Sequence, residues 1–125
     1  MKLRYIVVDD APFLRELIKG LMSSWGHLCV GEAAEASEAL DVISRTLPDM
    51  IFLDLVMPKK NGAEAAKEIR ELWPESKIIA CTTLEQSDIK PAQMEYFDAW
   101  LSKPFSKQQV EEVIQQLQIK KGKPA

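Results

Sequence analysis

Short apolar runs and stretches of helical period alternate five times along this chain. That alternation implies a parallel sheet with helices on both faces, because each right-handed crossover must cover the sheet. The runs are Tyr5 to Val8, Leu28 to Val30, Met50 to Asp54, Ile78 to Cys81 and Ala99 to Ser102. The third, Met-Ile-Phe-Leu before its Asp, shows no polar alternation, the pattern of a strand buried on both faces.

The intervening segments carry helix signals. Pro12 suits a first helical turn. Phe13, Leu14, Leu17, Ile18, Leu21, Met22 and Trp25 then follow at helical spacing up to Gly26, with Arg15, Glu16 and Lys19 outside the stripe. A second helix is expected over Glu35 to Arg45, with Ala36, Ala39, Leu40 and Ile43 on one face. A third is expected over Ala63 to Leu72, with Ala66, Ile69 and Leu72 inward. The stretch from Leu84 to Phe97 is the least regular, and a short helix should start at Pro91. Ser106 reads as the N-cap of a last helix through Leu117, with Val110, Val113, Ile114 and Leu117 inward.

Composition narrows the classes. A chain of 125 residues, 46% of them hydrophobic, is one globular domain that can fold without disulfides or a structural metal. A net charge of −3 argues against direct nucleic-acid binding. The longest uncharged run, Gly20 to Gly31, is far below the roughly 18 apolar residues a membrane span needs. The N-terminal segment reaches Asp9-Asp10 before a signal-peptide apolar stretch could finish, so a cytoplasmic location is expected. Cys29 and Cys81 sit in apolar runs without metal-site spacing and read as buried thiols. The single histidine, His27, reads as a turn residue and gives a metal site or catalytic triad little to build on.

Sites in open parallel sheets form beyond the carboxyl ends of the strands. The first run ends in Asp9-Asp10, the third in Asp54 and the fourth in Thr82-Thr83, while the fifth ends just before Lys103. The second ends in Gly31-Glu32, with nothing distinctive. Carboxylates crowded on one rim repel unless a cation or protons sit among them, and hard oxygen donors suit Mg²⁺. Lys103 adds a charge suited to a phosphoryl oxygen and Thr82 a hydroxyl donor. A carboxylate can act as nucleophile and form an aspartyl phosphate. The constellation asks for Mg²⁺-dependent phosphoryl transfer onto an Asp.

From Leu3 to about Leu117 the chain resembles a bacterial response-regulator receiver domain of two-component signalling. The resemblance rests on the acidic pair Asp9-Asp10, on Asp54, Met57, Pro58 and Gly62 in an Asp-x-x-Met-Pro-x-x-x-Gly pattern, on Thr82, and on Lys103-Pro104-Phe105. It implies a flavodoxin-like, doubly wound α/β fold with five parallel strands in the order 2-1-3-4-5. It implies that Asp54 accepts a phosphoryl group from a kinase phosphohistidine. Mg²⁺ would be held by Asp10, Asp54 and the backbone carbonyl of Val56, with Asp9 acting mainly through water. Thr82 and Lys103 would hold phosphoryl oxygens, and Trp100 falls where the family carries its switch aromatic. A cis Lys103–Pro104 peptide is implied as well.

The chain departs from the family pattern at some positions. Thr83 stands where a small residue is usual and could narrow access to Asp54; Trp100 is larger than the usual Tyr or Phe. Pro91 and Glu95 to Ala99 replace the usual Gly-containing end of helix four. The resulting expectation is a signalling switch rather than a turnover enzyme. Its receiver would span residues 1–119 and a basic tail or linker start 120–125. Its partners would be a sensor histidine kinase or phosphotransfer protein and an output protein or domain, met through the face of helix four, strand five and helix five, with no nucleic acid and no membrane. Stand-alone receiver and fragment of a longer regulator both fit. A haloacid-dehalogenase-type hydrolase would want a second Asp two residues after the nucleophile, where Val56 stands.

Overall fold

The structure, a computed structural model, describes residues 2–122, with side chains described through residue 118. Strands β1 (Arg4–Val8), β2 (Leu28–Ala33), β3 (Met50–Leu53), β4 (Lys77–Thr82) and β5 (Ala99–Ser102) alternate with helices α1 (Pro12–Ser24), α2 (Ala36–Thr46), α3 (Gly62–Leu72), α4 (Pro91–Met94) and α5 (Lys107–Gly122). The strands form one sheet in the order β2-β1-β3-β4-β5, and all the pairings are parallel. The α/β architecture and strand order are those the sequence led us to expect.

Strand alternation divides the core into two layers. Tyr5, Val7, Met50, Phe52, Ile79 and Cys81 face the side covered by α1 and α5, where Ile18, Met22, Val110, Ile114 and Leu117 complete the packing. Tyr5 meets Phe52 edge to face, with ring centroids 5.9 Å apart. Ile6, Val8, Ile51, Leu53, Ile78 and Ala80 face the other side, against Ala39, Val42 and Ile43 of α2 and Ala66 and Ile69 of α3. β3 is buried at every position, as its uninterrupted apolar run requires.

Local signals account for the helix ends. Pro12 opens α1, and Gly26, at φ 83°, takes the left-handed conformation that releases the chain toward β2. The Asn61 side chain caps α3 by accepting the Glu64 N–H. The Ser106 hydroxyl accepts the Gln109 N–H, the cap expected for α5.

Some helical expectations need correction. Phe13 and Leu17 are 76% and 41% exposed, so the buried stripe of α1 is narrower than its apolar spacing suggests. α1 rests on β1 and the edge strand β2, and only Ile18 and Met22 of it are fully buried. Leu72, expected inward, is exposed because the inward stripe of α3 runs through Ala66 and Ile69 to Trp73, leaving Leu72 beside it. β2 continues three residues past Val30, and α5 runs on past Leu117 to Gly122. Residues 123–125 of the expected basic tail lie outside the described residues.

The connection between β4 and β5 is thin. It holds a 3-10 turn at Gln86–Asp88 and the four-residue α4, starting at Pro91 as expected, and neither contains a fully buried residue. Arg70 of α3 ties it down. One guanidinium nitrogen donates to the Tyr96 carbonyl at 2.9 Å and to Asp98 at 2.6 Å, and the other donates to the carbonyls of Pro74 and Ser76. Asp98 also accepts the Ile78 N–H at 2.8 Å.

Both cysteines are free, Cys29 on β2 and Cys81 on β4, with β1 and β3 between their strands. Burial pushes the Cys81 thiol up to about 12, which keeps it protonated and unreactive at neutral pH. No helix among the described residues is long and apolar enough to cross a membrane.

Candidate functional site

Three strand ends build the site. β1 stops at Val8 and delivers Asp9 and Asp10 to the carboxyl rim, and β3 stops at Leu53 and delivers Asp54 beside them. One carboxylate oxygen from each lies within 4.8 Å of the others. Asp9 and Asp54 are 2% and 5% exposed, whereas Asp10 is open to solvent.

Lys103 reaches in from the end of β5. Its Nζ donates to Asp9 Oδ2 at 2.7 Å and lies 3.4 Å from Asp54 Oδ2. The backbone supports this reach through the Lys103 N–H, which donates to the Thr82 carbonyl at 2.8 Å. The Lys103–Pro104 peptide is cis, as the resemblance implied. Asp9 is held further by the Ala11 N–H on Oδ1 at 2.9 Å, and Asp54 by the Val56 N–H on Oδ1 at 3.1 Å.

Burial, with the Asp9 charge adding to it, holds the Asp54 carboxyl above its ordinary range against the Val56 N–H and Lys103. For Lys103, burial alone favours the neutral amine. The hydrogen bond to Asp9 and the charges of Asp54 and Asp9 outweigh it, so its proton is held more tightly than usual.

Thr82 is fully buried at the end of β4, and its Oγ1 accepts the Leu84 N–H at 3.3 Å. Thr83 is exposed just beyond it. Val56 is exposed on the loop after Asp54. Trp100 lies on β5, half-buried and edge to face with Phe97 at 6.0 Å, and its indole N–H is buried without a hydrogen-bond partner.

The structure thus brings Asp9, Asp10, Asp54 and Lys103 into one cluster, sets Thr82 on the same rim, and keeps Trp100 within β5. The chemistry of the cluster suits a hard divalent cation, with carboxylate oxygens from three residues and no sulfur or imidazole among them. Two residues read in the sequence as a helix's outer face and an undistinguished strand end belong to the site's surroundings. Arg15 donates to the Asp9 carbonyl at 2.6 Å, and Glu32, at the end of β2, receives Arg15 at 3.0 Å and Lys19 at 2.8 Å. Their only sequence signal was a basic residue one helical turn into α1 and an acid at a strand end.

The chain is similar in sequence and fold to known proteins. The family profile described as the response regulator receiver domain matches residues 5–115. The protein CcdB of Bacillus subtilis is 34% identical over 112 residues, covering 89% of this chain and 93% of that one. The chemotaxis protein CheY of Thermotoga maritima is 33% identical over 112 residues, with the same coverage of 89% and 93%. Among solved structures, the response regulator TrrA of Thermotoga maritima, in complex with Mg²⁺ and beryllium fluoride, superposes with a TM-score of 0.83 at 33% identity. It covers 94% of this chain and 99% of that one. A CheY-like receiver domain from Methylobacillus flagellatus superposes with a TM-score of 0.84 at 25% identity, again covering 94% and 99%. With the profile spanning most of its length and these relatives matched nearly end to end, the chain belongs to the response-regulator receiver domain family.

Proposed function

We propose that this receiver domain is a phosphorylation-controlled switch of a two-component or phosphorelay system, acting in the cytoplasm, and not a turnover enzyme. The observation that carries the reading is the convergence of Asp9, Asp10 and Asp54 within 4.8 Å, with the Lys103 ammonium among them. Asp10, Asp54 and the Val56 carbonyl would hold Mg²⁺, with Asp9, oriented by Lys103 and the Ala11 N–H, acting mainly through water. When bound, that ion supplies the positive charge that lets the carboxylates stay ionised together and neutralises phosphoryl oxygens. The relative solved with Mg²⁺ and beryllium fluoride supports the assignment.

An Asp54 carboxylate oxygen attacks the phosphorus of a phosphohistidine on a sensor kinase or phosphotransfer protein. The P–N bond breaks and the imidazole leaves with the electron pair. Lys103 and Thr82 then hold phosphoryl oxygens, and exposed Thr83 borders the approach to Asp54. Thr82 Oγ1 accepts the Leu84 N–H, which leaves its hydroxyl hydrogen free to donate, and activation would turn that hydroxyl toward Asp54. That turn frees space beside Trp100 on the neighbouring strand and biases the face of α4, β5 and α5 between two affinities for an output partner.

The test is loading with a small donor. With Mg²⁺ and acetyl phosphate, intact mass should show one added phosphoryl group, and the metal alone should stabilise the fold. At a hundredfold excess over its dissociation constant that gain is about 2.7 kcal/mol. An unchanged mass with a donor shown to be active would sink the reading. So would a melting temperature unmoved by millimolar Mg²⁺ after an ionic-strength control.

A further inference from the structure

We propose that Arg15 is a positioning residue for the acid pocket, holding the peptide between Asp9 and Asp10 and through it aiming the Asp10 carboxylate at the metal position. The inference rests on the reading that these acids hold Mg²⁺. Two of the three acids have their carboxylates fixed directly, Asp9 by the Ala11 N–H and Lys103 and Asp54 by the Val56 N–H and Lys103. Asp10 is the exposed member, at a bend past the end of β1, so its direction is set by its backbone.

The peptide that enters Asp10 carries the Asp9 carbonyl, and the Arg15 Nη1 donates to that oxygen at 2.6 Å. The Ala11 N–H on Asp9 Oδ1 closes the same turn from its side-chain edge, while Ala11, at the N-cap of α1, offers no side-chain hydrogen bond, so the Asp9 carbonyl is held by Arg15. Arg15 is itself held. Its Nε donates to Glu32 Oε1 at 3.0 Å, its side chain is 20% exposed, and Lys19 occupies the other Glu32 oxygen at 2.8 Å. Lys19 also pairs with Glu16. Arg15 and Lys19 are therefore balanced by Glu16 and Glu32, and the group lends the pocket little net charge. A chain of contacts runs from the end of β2 through α1 to the peptide linking two of the acids.

Charge and position predict opposite signs. A guanidinium acting only as a nearby positive charge would oppose Mg²⁺, so removing it would tighten binding. A guanidinium that sets the Asp10 carboxylate would weaken binding when lost, by about tenfold, the lower end for groups that orient metal ligands.

The experiment titrates Mg²⁺ by calorimetry at fixed ionic strength into the unaltered chain, Arg15→Ala and Glu32→Gln. We expect weaker binding in Arg15→Ala and a smaller loss in the same direction in Glu32→Gln, which frees the guanidinium without removing it. Acetyl phosphate loading of Arg15→Ala should return to the parent rate at saturating Mg²⁺. Equal or tighter Mg²⁺ binding in Arg15→Ala, with normal binding by the unaltered chain, would overturn the inference alone, whatever Glu32→Gln shows, because loss of the Glu32 charge weakens cation binding by itself. So would a loading defect that saturating Mg²⁺ leaves in place. No saturable binding by the unaltered chain would overturn the metal reading and this inference with it. If Arg15→Ala does not fold, Arg15→Met, which loses the charge and the donors but keeps the aliphatic stem, decides by the same criterion.

Discussion

Asp54→Asn is expected to take up no phosphoryl group under conditions that load the parent, and to melt higher than the parent in metal-free buffer at neutral pH. The first effect is a complete loss, because the amide has no anionic oxygen to attack phosphorus. Lys103 keeps its bond to Asp9, and the Asn oxygen can still accept the Val56 N–H, so the fold persists. The second effect follows from the direction of the Asp54 shift. Burial and the Asp9 charge raise its pKa above the usual 3.8. Between that value and the raised one, the folded chain binds more protons than the unfolded chain, so stability falls as pH rises through this window. At neutral pH the ionised group opposes folding and Asn does not. The melting difference between variant and parent should shrink as pH falls through the folded pKa of Asp54. Intact mass after acetyl phosphate treatment and thermal melts across pH check both. Phosphoryl uptake by the variant would move the acceptor elsewhere, and a variant that melts lower at neutral pH would contradict the charge argument.

Gly62→Ala should lose about 3 kcal/mol of stability, the upper part of the usual range for overpacking. A Cβ at this position would stand 2.5 Å from the Asp54 carbonyl oxygen and 2.5 Å from the Leu55 Cα, both backbone atoms that no rotamer change can move. The Gly62 N–H donates to the Leu55 carbonyl at 3.0 Å, closing the loop after β3 against the first turn of α3. Glycine is there because backbone must approach backbone. Forcing the strands of that loop apart displaces the peptide that follows Asp54, so phosphoryl loading should slow along with the loss of stability. Urea unfolding measures the first and mass spectrometry the second. A variant within about 0.5 kcal/mol of the parent, the usual scatter for a surface change, would show that the loop yields freely.

The sequence showed the acids because strand ends are visible as breaks in apolar runs. Asp9, Asp10 and Asp54 each follow directly on such a run, and one rule about parallel sheets places them on one rim. The order of the strands came from family resemblance, since periodicity does not say which run lies beside which. The partners of the acids were less visible. Arg15 and Glu32 resemble a solvated helix face and a strand terminus, and only the crossover from β1 through α1 to β2 brings them together. Thr82 was legible as a rim residue but not as a fully buried one, because burial there depends on what packs over β4. The exposed positions of Phe13, Leu17 and Leu72 were misread for a related reason: apolar spacing shows which side of a helix is greasy, not how wide a stripe of it the neighbouring elements cover.

The clamp made by Arg70 sets how the molecule comes apart. A segment with a three-residue 3-10 turn and a four-residue helix, neither contributing a fully buried side chain, meets the core only through the partly buried Leu84, Ile89, Tyr96 and Phe97, a smaller gain from water exclusion than the sheet has. It stays in place through directional bonds to one guanidinium and to Asp98. Segments of that kind open locally long before the global transition, and their amides trade hydrogen for deuterium early. The residues between β4 and β5 should therefore exchange in a fast group while the amides of β1 and β3 exchange only with global unfolding. Arg70→Ala should speed the fast group and leave the slow one nearly unchanged. The free energy of this local opening would then be governed from α3, a helix outside the α4, β5 and α5 face.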